Sequence, residues 1–373
     1  ICLSPAEFIH FGTTTELRRL VTADVEDYEF LDWKKQVSTT APETSAYAAH
    51  NSYVGKRARI ACGAYLEDSY VLDESVVGKG SVISNVKLRN VTVPENVVLH
   101  GLKLLDGRYV VRIYGVEDNP KGTLEKDACF LGTTLSAFLS GNGLTPEALW
   151  KDGEHYLWFA ALYPAADTME EAIRSALIVK KMAEHSASPE EIEAWKNKER
   201  MSLYSSFNGA DVLAISKWQH ELESRIRASK FVWAIEAGTY YKEALQVFGA
   251  HGISQDIYEM LLEDAGKAGF SLKIRIYYAL AQYMKENRIT FGQTGYDALE
   301  AMCFGTIQRT IYDNAAAKLP SSQDYRIVKD EVTVELPVRV NWGGGWTDTP
   351  PHCNECGGVV LNAALKLNGI YPI

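Results

Sequence analysis

The residues with the strongest chemical potential form one run, Pro337-Val338-Arg339-Val340-Asn341-Trp342-Gly343-Gly344-Gly345-Trp346-Thr347-Asp348-Thr349-Pro350-Pro351. An alternating apolar stretch, Glu331 to Asn341, predicts strands that deliver Arg339. Three glycines follow, which permit backbone angles and close approach that other residues resist. Asp348 comes just past that turn. An ionised carboxylate beside a glycine-rich loop suits the hydroxyls of a sugar. A fixed guanidinium nearby can neutralise charge developing on a transferred phosphoryl group. Asn341 can donate and accept hydrogen bonds but cannot act as a base.

This run resembles motif 1 of the GHMP sugar kinases, in the form found in fucokinases and heptose kinases. Gly345-Trp346-Thr347-Asp348 stands where galactokinases carry Gly-Glu-His-Thr-Asp. The resemblance implies a catalytic, charge-stabilising role for Arg339. It implies a sugar site formed by Arg339, Asn341, Gly344, Gly345, Trp346 and Asp348. Many members have Asp at the place of Asn341. The family's phosphate loop, of the Pro-x-x-x-Gly-Leu-Gly-Ser-Ser type, and its later general-base Asp do not occur in these 373 residues. The chain starts Ile1-Cys2-Leu3-Ser4 without Met and stops at Ile373, in what reads as mid-strand. A piece of a longer protein, inactive by itself, is the expectation.

Three elements precede the motif. Phe8-Ile9-His10-Phe11-Gly12-Thr13-Thr14 reads as strand, turn and helix start, with Thr13 or Thr14 as N-cap of a helix carrying Leu17, Leu20 and Val21. From 50 to 115 an aliphatic recurs about every sixth position, at Val54, Ile60, Leu66, Leu72, Val76, Val82 and Leu88, with Gly-containing turns between. Such hexads predict a β-helix of three or four coils, one aliphatic per hexad pointing inward. The phase slips between Leu72 and Val76 and again near Val91. From 123 to 320 capping signals at Thr145, Thr168 and Ser188, and i, i+3, i+4 spacing thereafter, predict an all-helical region with no strand. Lys318 to Asp324 reads as a polar linker.

The same order of parts is found in the family of bifunctional fucokinase/GDP-fucose pyrophosphorylases. The resemblance divides the chain into the end of a nucleotidyltransferase domain (1–49), a left-handed β-helix (50–122), a helical linker domain (123–320) and the start of an α+β kinase domain (321–373). It implies ATP-dependent phosphorylation of the anomeric hydroxyl of L-fucose. Guanylyl transfer from GTP to L-fucose 1-phosphate would follow, with Mg²⁺ serving both steps in the parent and no cofactor bound by the piece alone. A heptose would use the same motif types. The pyrophosphorylase's own Gly-rich, Arg-containing loop is not present. His10 is a candidate sugar-phosphate ligand.

The remaining signals are weaker. A net charge of -10 argues against general nucleic-acid binding. No apolar run nears the ~20 residues needed to cross a bilayer, and no signal peptide is visible. Six scattered cysteines favour a reducing cytoplasm, and the Cys353-x-x-Cys356 pair lacks the further ligands of a zinc site. His100, within the β-helix, raises the alternative of a hexapeptide-repeat acyltransferase. Trp218, Trp233, Tyr240, Tyr241, Tyr277 and Tyr278 suit helix packing better than a ligand groove. Lys180-Lys181 and Lys196 to Arg200 read as solvated helix faces. The second class of function is a scaffold that spaces two catalytic heads and pairs with copies of itself.

Overall fold

The computed structural model describes residues 11–151, 153–317, 329–333 and 337–366. His10, the strand expected at Phe8-Ile9 and the linker 318–324 lie outside them. The chain divides into two compact units, Ile1–Ile226 and Arg227–Ile373.

The first unit opens with α1 (Thr14–Thr22), closed by a reciprocal capping box between Thr13 and Glu16. A β-solenoid of about four turns follows. Its first face stacks β1 (Gln36–Val37), β2 (Ala48–His50), β5 (Tyr65–Glu67) and β8 (Val82–Ser84) in parallel. The second face stacks β3 (Tyr53–Val54), β6 (Tyr70–Val71) and β9 (Lys87–Leu88). The third stacks β4 (Arg59–Ile60), β7 (Val76–Val77) and β10 (Thr92–Val93).

The registers Ala48↔Tyr65↔Val82 and Tyr53↔Tyr70↔Lys87 show a coil of 17 residues, where three hexads would need 18. Each of these coils is therefore a residue short, and the last, with Val76↔Thr92 and Val82↔Val98 sixteen apart, is two short. This explains the phase slip in the sequence and corrects the register: Val71, Val77 and Ile83 fill the interior, all fully buried, where hexad counting put Leu72, Val76 and Val82. Val82 is buried too, but on the outer side of the first face with Ala48, Tyr65 and Val98, against Val21 of α1. The corner after the first face needs left-handed backbone, and Asn51, Asp68 and Asn85 supply it at φ 42°, 46° and 52°.

β11 (Val97–Lys103) extends the first face in parallel with β8 and then reverses. β12 (Tyr109–Gly115) pairs with it antiparallel, β13 (Cys129–Phe130) and β14 (Thr133–Thr134) form a hairpin, and β15 (Tyr163–Ala166) and β16 (Arg200–Met201) complete an eight-stranded sheet. Between them lie α2 (Leu135–Gly141), α3 (Met169–Ala183), which packs on β12 and β15, and α4 (Pro189–Lys196). Thr168 caps α3 and Ser188 closes a full capping box on α4, as their sequences predict. At Thr145-Pro146-Glu147 the helix is a single 3-10 turn.

The all-helical expectation for 123–320 thus fails at its front. Four strands lie there, and one hydrophobic core runs without a break from Ala41 through the solenoid interior to Leu203. Strands of two to four residues leave little period-2 signal beside the capping sequences that flank them. Nor is the Lys196 to Arg200 run all solvated. Arg200 lies over the Trp195 ring and donates to the carbonyls of Ala148, Ala161, Trp195 and Lys196. α5 (Leu203–Asn208) follows, then α6 (Val212–Glu236), a 25-residue helix whose front half belongs to the first unit.

In the second unit α7 (Tyr241–Ala244), α8 (Gln255–Lys267), α9 (Phe270–Asn287) and α10 (Tyr296–Ala316) surround a core of Phe231, Phe248, Leu261, Leu280 and Met284. Tyr241 and Tyr277 are buried in it and Tyr278 packs edge-on to Tyr241, so these aromatics are helix packing. No helix among the described residues is long and apolar enough to cross a membrane.

Candidate functional site

The Arg339 motif sits in the second unit on a two-stranded antiparallel sheet. β17 (Val338–Gly343) pairs with β18 (Leu361–Leu365), setting Arg339 opposite Ala364 and Asn341 opposite Asn362. The register then shifts between Asn341 and Gly343, so Trp342 is extra, as in a bulge that re-aims the chain.

The glycines have distinct work beyond this point. Gly344 has φ +76°, and a Cβ there would lie 1.8 Å from the Val359 carbonyl oxygen; a Cβ on Gly345 would strike the Asn341 amide at 2.1 Å. The loop is tied by a residue that sequence reasoning passed over. The Thr347 hydroxyl lies 2.6 Å from Gly344 O and 3.0 Å from Val359 O, and accepts from Val359 N at 3.2 Å. Gly358 allows this approach, since its Cβ would sit 1.9 Å from Thr347 O. The Gly357-Gly358 pair was the only sequence signal for that contact.

The fold therefore gathers Asn341, Gly344, Gly345 and Thr347 into one turn, with the Asn341 carbonyl oxygen accepting from Gly343 N at 3.1 Å. Trp346 projects from its apex, 83% exposed, at φ +75°. An unstrained loop seldom holds a tryptophan in left-handed backbone, and such positions gather at ligand sites. Arg339 and Asp348 are both exposed. No ion pair or hydrogen bond joins them among the described residues, so both are free to meet a ligand. Cys353 and Cys356 follow at once in α11 (His352–Cys356), which packs on α9. Burial, chiefly, raises the Cys353 thiol, with the Asp348 carboxylate adding to the rise. No group of three or more His, Cys, Asp or Glu side chains among the described residues could hold a metal.

A second constellation crosses the outer side of the first solenoid sheet. His50, Glu67, Ser84, His100 and Arg112 stand in register on five neighbouring strands. Glu67 accepts from Tyr65 Oη at 3.0 Å and from Ser84 Oγ at 2.6 Å. Arg112 is only 7% exposed, and its Nη2 donates to His100 Nδ1 at 2.5 Å. Its Nε, like the hydroxyl of fully buried Tyr163, has no hydrogen-bond partner among the described residues. Burial first, then the Arg112 charge, pulls the His100 imidazole down to about 3. A half-buried ring with a guanidinium on its lone pair does not suit the acyltransferase role considered for it.

This burial has a pH signature. Between about pH 3 and 6.5 the unfolded chain binds a proton at His100 that the folded chain refuses, so stability falls as pH drops through that window. Burial also lowers His50. Urea titrations across the window should show His100→Gln, which keeps an acceptor for Arg112, losing less stability toward acid than the parent chain. The difference should approach ~1 kcal/mol per pH unit. Parallel acid profiles would remove His100 from this role.

Residues 1–168 match the fucose pyrophosphorylase domain. Over its whole length the chain is 24% identical to the bifunctional fucokinase/GDP-fucose pyrophosphorylase of Arabidopsis thaliana, covering 39% of that protein. It is also 24% identical to the L-fucokinase/L-fucose-1-P guanylyltransferase of Bacteroides fragilis, covering 38%. The chain thus spans about two fifths of the length of these relatives. No solved structure matches.

Proposed function

We propose that the chain is the central part of a bifunctional enzyme that makes GDP-L-fucose. Sugar phosphorylation by ATP at the anomeric hydroxyl would come first. Guanylyl transfer from GTP, with release of pyrophosphate, would follow in a reducing cytoplasm. The observation that carries this reading is similarity along the entire chain to two proteins whose names hold both activities.

In this reading the β17–β18 hairpin contributes the sugar-binding edge of a GHMP-type kinase domain. Asp348 accepts from sugar hydroxyls and Asn341 shapes the turn, while the exposed Trp346 face covers the ring. Arg339 faces the charge that develops on the transferred phosphoryl group. The solenoid and helices act as scaffold, and the 373-residue chain alone turns over neither reaction.

The test is an assay of the chain alone and of the complete protein with L-fucose, ATP and Mg²⁺, then with L-fucose 1-phosphate and GTP. Both products are expected from the complete protein and neither from the chain. Sugar phosphate formed by the chain alone would overturn the scaffold role. Preference of the complete protein for a heptose over L-fucose would overturn the sugar assignment.

A further inference from the structure

The front half of α6 lies along the left-handed corner of the solenoid, where Asn51, Asp68 and Asn85 stack one per coil. It engages the first two rungs closely. Asn51 Nδ2 donates to Asp68 Oδ1 at 2.7 Å and to the Gln219 carbonyl at 3.3 Å. Gln219 Nε2 donates to Asp68 Oδ2 at 2.7 Å, and Trp218 Nε1 donates to the Asp68 carbonyl at 2.8 Å. At the third rung the match stops. One turn earlier, α6 presents Ala214 and Ile215, which have no side-chain donor to offer; Asn85 Oδ1, like Asn51 Oδ1 at the first rung, has no hydrogen-bond partner among the described residues, but only Asn85 borders open space.

A half-open cavity of about 320 Å³ occupies that gap, with Asn85, Lys103, Tyr109, Trp218, Lys217 and Glu221 among its walls. Its volume is at the small end of the ~300–1,000 Å³ typical of ligand sites. Trp218 is held in place by its Asp68 bond and by an edge-on contact to Tyr70 at 5.3 Å. Lys103 stands 5.5 Å over the Tyr109 ring and has no carboxylate partner among the described residues, whereas Lys217 pairs with Glu221 at 3.5 Å. The cavity thus combines two aromatic rings, an orphaned amide oxygen, a carboxylate and one uncompensated ammonium.

We infer that this cavity binds a phosphorylated monosaccharide. The apolar face of a sugar ring rests on Trp218 or Tyr109, a ring hydroxyl donates to Asn85 Oδ1, and the phosphate lies against Lys103. The cavity is too small for a sugar nucleotide to be enclosed with its base. Gly101, in the wall, lets β11 pass close to the corner, because a Cβ there would lie 2.5 Å from the Asn85 carbonyl oxygen and 2.9 Å from Val86. The inference deepens the function proposed above and rests on it only for the choice of sugar: the cavity then holds the intermediate that one reaction forms and the other consumes.

The experiment is calorimetric titration of the 373-residue chain with L-fucose 1-phosphate, D-glucose 1-phosphate, L-fucose and inorganic phosphate, with Trp fluorescence in parallel. A sugar phosphate should saturate the chain at one site. Free sugar and phosphate alone should bind at least about tenfold more weakly, which corresponds to ~1.4 kcal/mol. Asn85→Gly keeps the left-handed corner and Lys103→Gln keeps the side-chain stem. Each should weaken the sugar phosphate about tenfold or more with an unchanged thermal midpoint. No saturable binding, or binding indifferent to both variants, would overturn the site. Binding of D-glucose 1-phosphate in preference to L-fucose 1-phosphate would keep the site and count against the sugar proposed above.

Discussion

In the complete protein, Arg339→Ala should lower kcat/KM for sugar phosphorylation by about 10²–10³-fold, while guanylyl transfer from supplied sugar phosphate keeps its rate. The guanidinium lies at a strand end whose partner strand and bulge are fixed by backbone pairing, so its removal leaves the hairpin intact. The loss should fall mainly on kcat, because charge on the phosphoryl group grows between ground and transition state. Arg339→Lys should recover only part of it, since an ammonium lacks the planar fork. Asp348→Ala should act differently, raising KM for the sugar, because hydroxyl hydrogen bonds exist already in the bound ground state. The two reactions assayed on one preparation form the control. Equal loss of both would mean misfolding, and no loss of phosphorylation would remove Arg339 from the kinase site.

The second large effect is on stability. Leu66→Ala, at the centre of the solenoid with no exposed surface, should cost about 2–5 kcal/mol in chemical denaturation, because stacked coils above and below prevent collapse into the cavity. Val71→Ala, also fully buried, should cost about 1.5–3 kcal/mol for its two methyl groups and the cavity left behind. Leu72→Ala should cost less than Val71→Ala although leucine is the larger residue, because Leu72 stands half-exposed outside the coil. The reverse order would restore an 18-residue repeat and break the register described above.

That comparison marks how far the sequence could be read. Gly-containing turns and recurring aliphatics made the solenoid visible, and Leu66, Val54 and Leu88 were placed correctly. The missing residue in each coil was not, because a 17-residue period looks like hexads with noise until strand pairing is known. Asn51, Asp68 and Asn85 carried the corner in plain view, yet two asparagines and an aspartate seventeen apart have no signature in a hydrophobicity pattern. The caps at Thr168 and Ser188 were readable because they are local, with donor and acceptor three residues apart. The contacts that shape the candidate sites are not local. Thr347 reaches Val359, Trp218 reaches Asp68, and Arg112 finds His100 only after the chain has reversed on itself. In the Arg339 loop the three glycines were plain to read, whereas the Thr347 tie that holds it was silent.

The eight-stranded sheet ends at both described margins in strands of two residues, Gln36–Val37 and Arg200–Met201. An open run of backbone N–H and C=O groups invites another chain to add itself, and repeated coils are prone to this, since every coil is already a template for the next. Here the reversal after Lys103 replaces the template with antiparallel pairing, and the margin it leaves is too short to seed a foreign strand. A repeat architecture that could in principle grow without limit is thereby given a finite length and guarded against fibre formation.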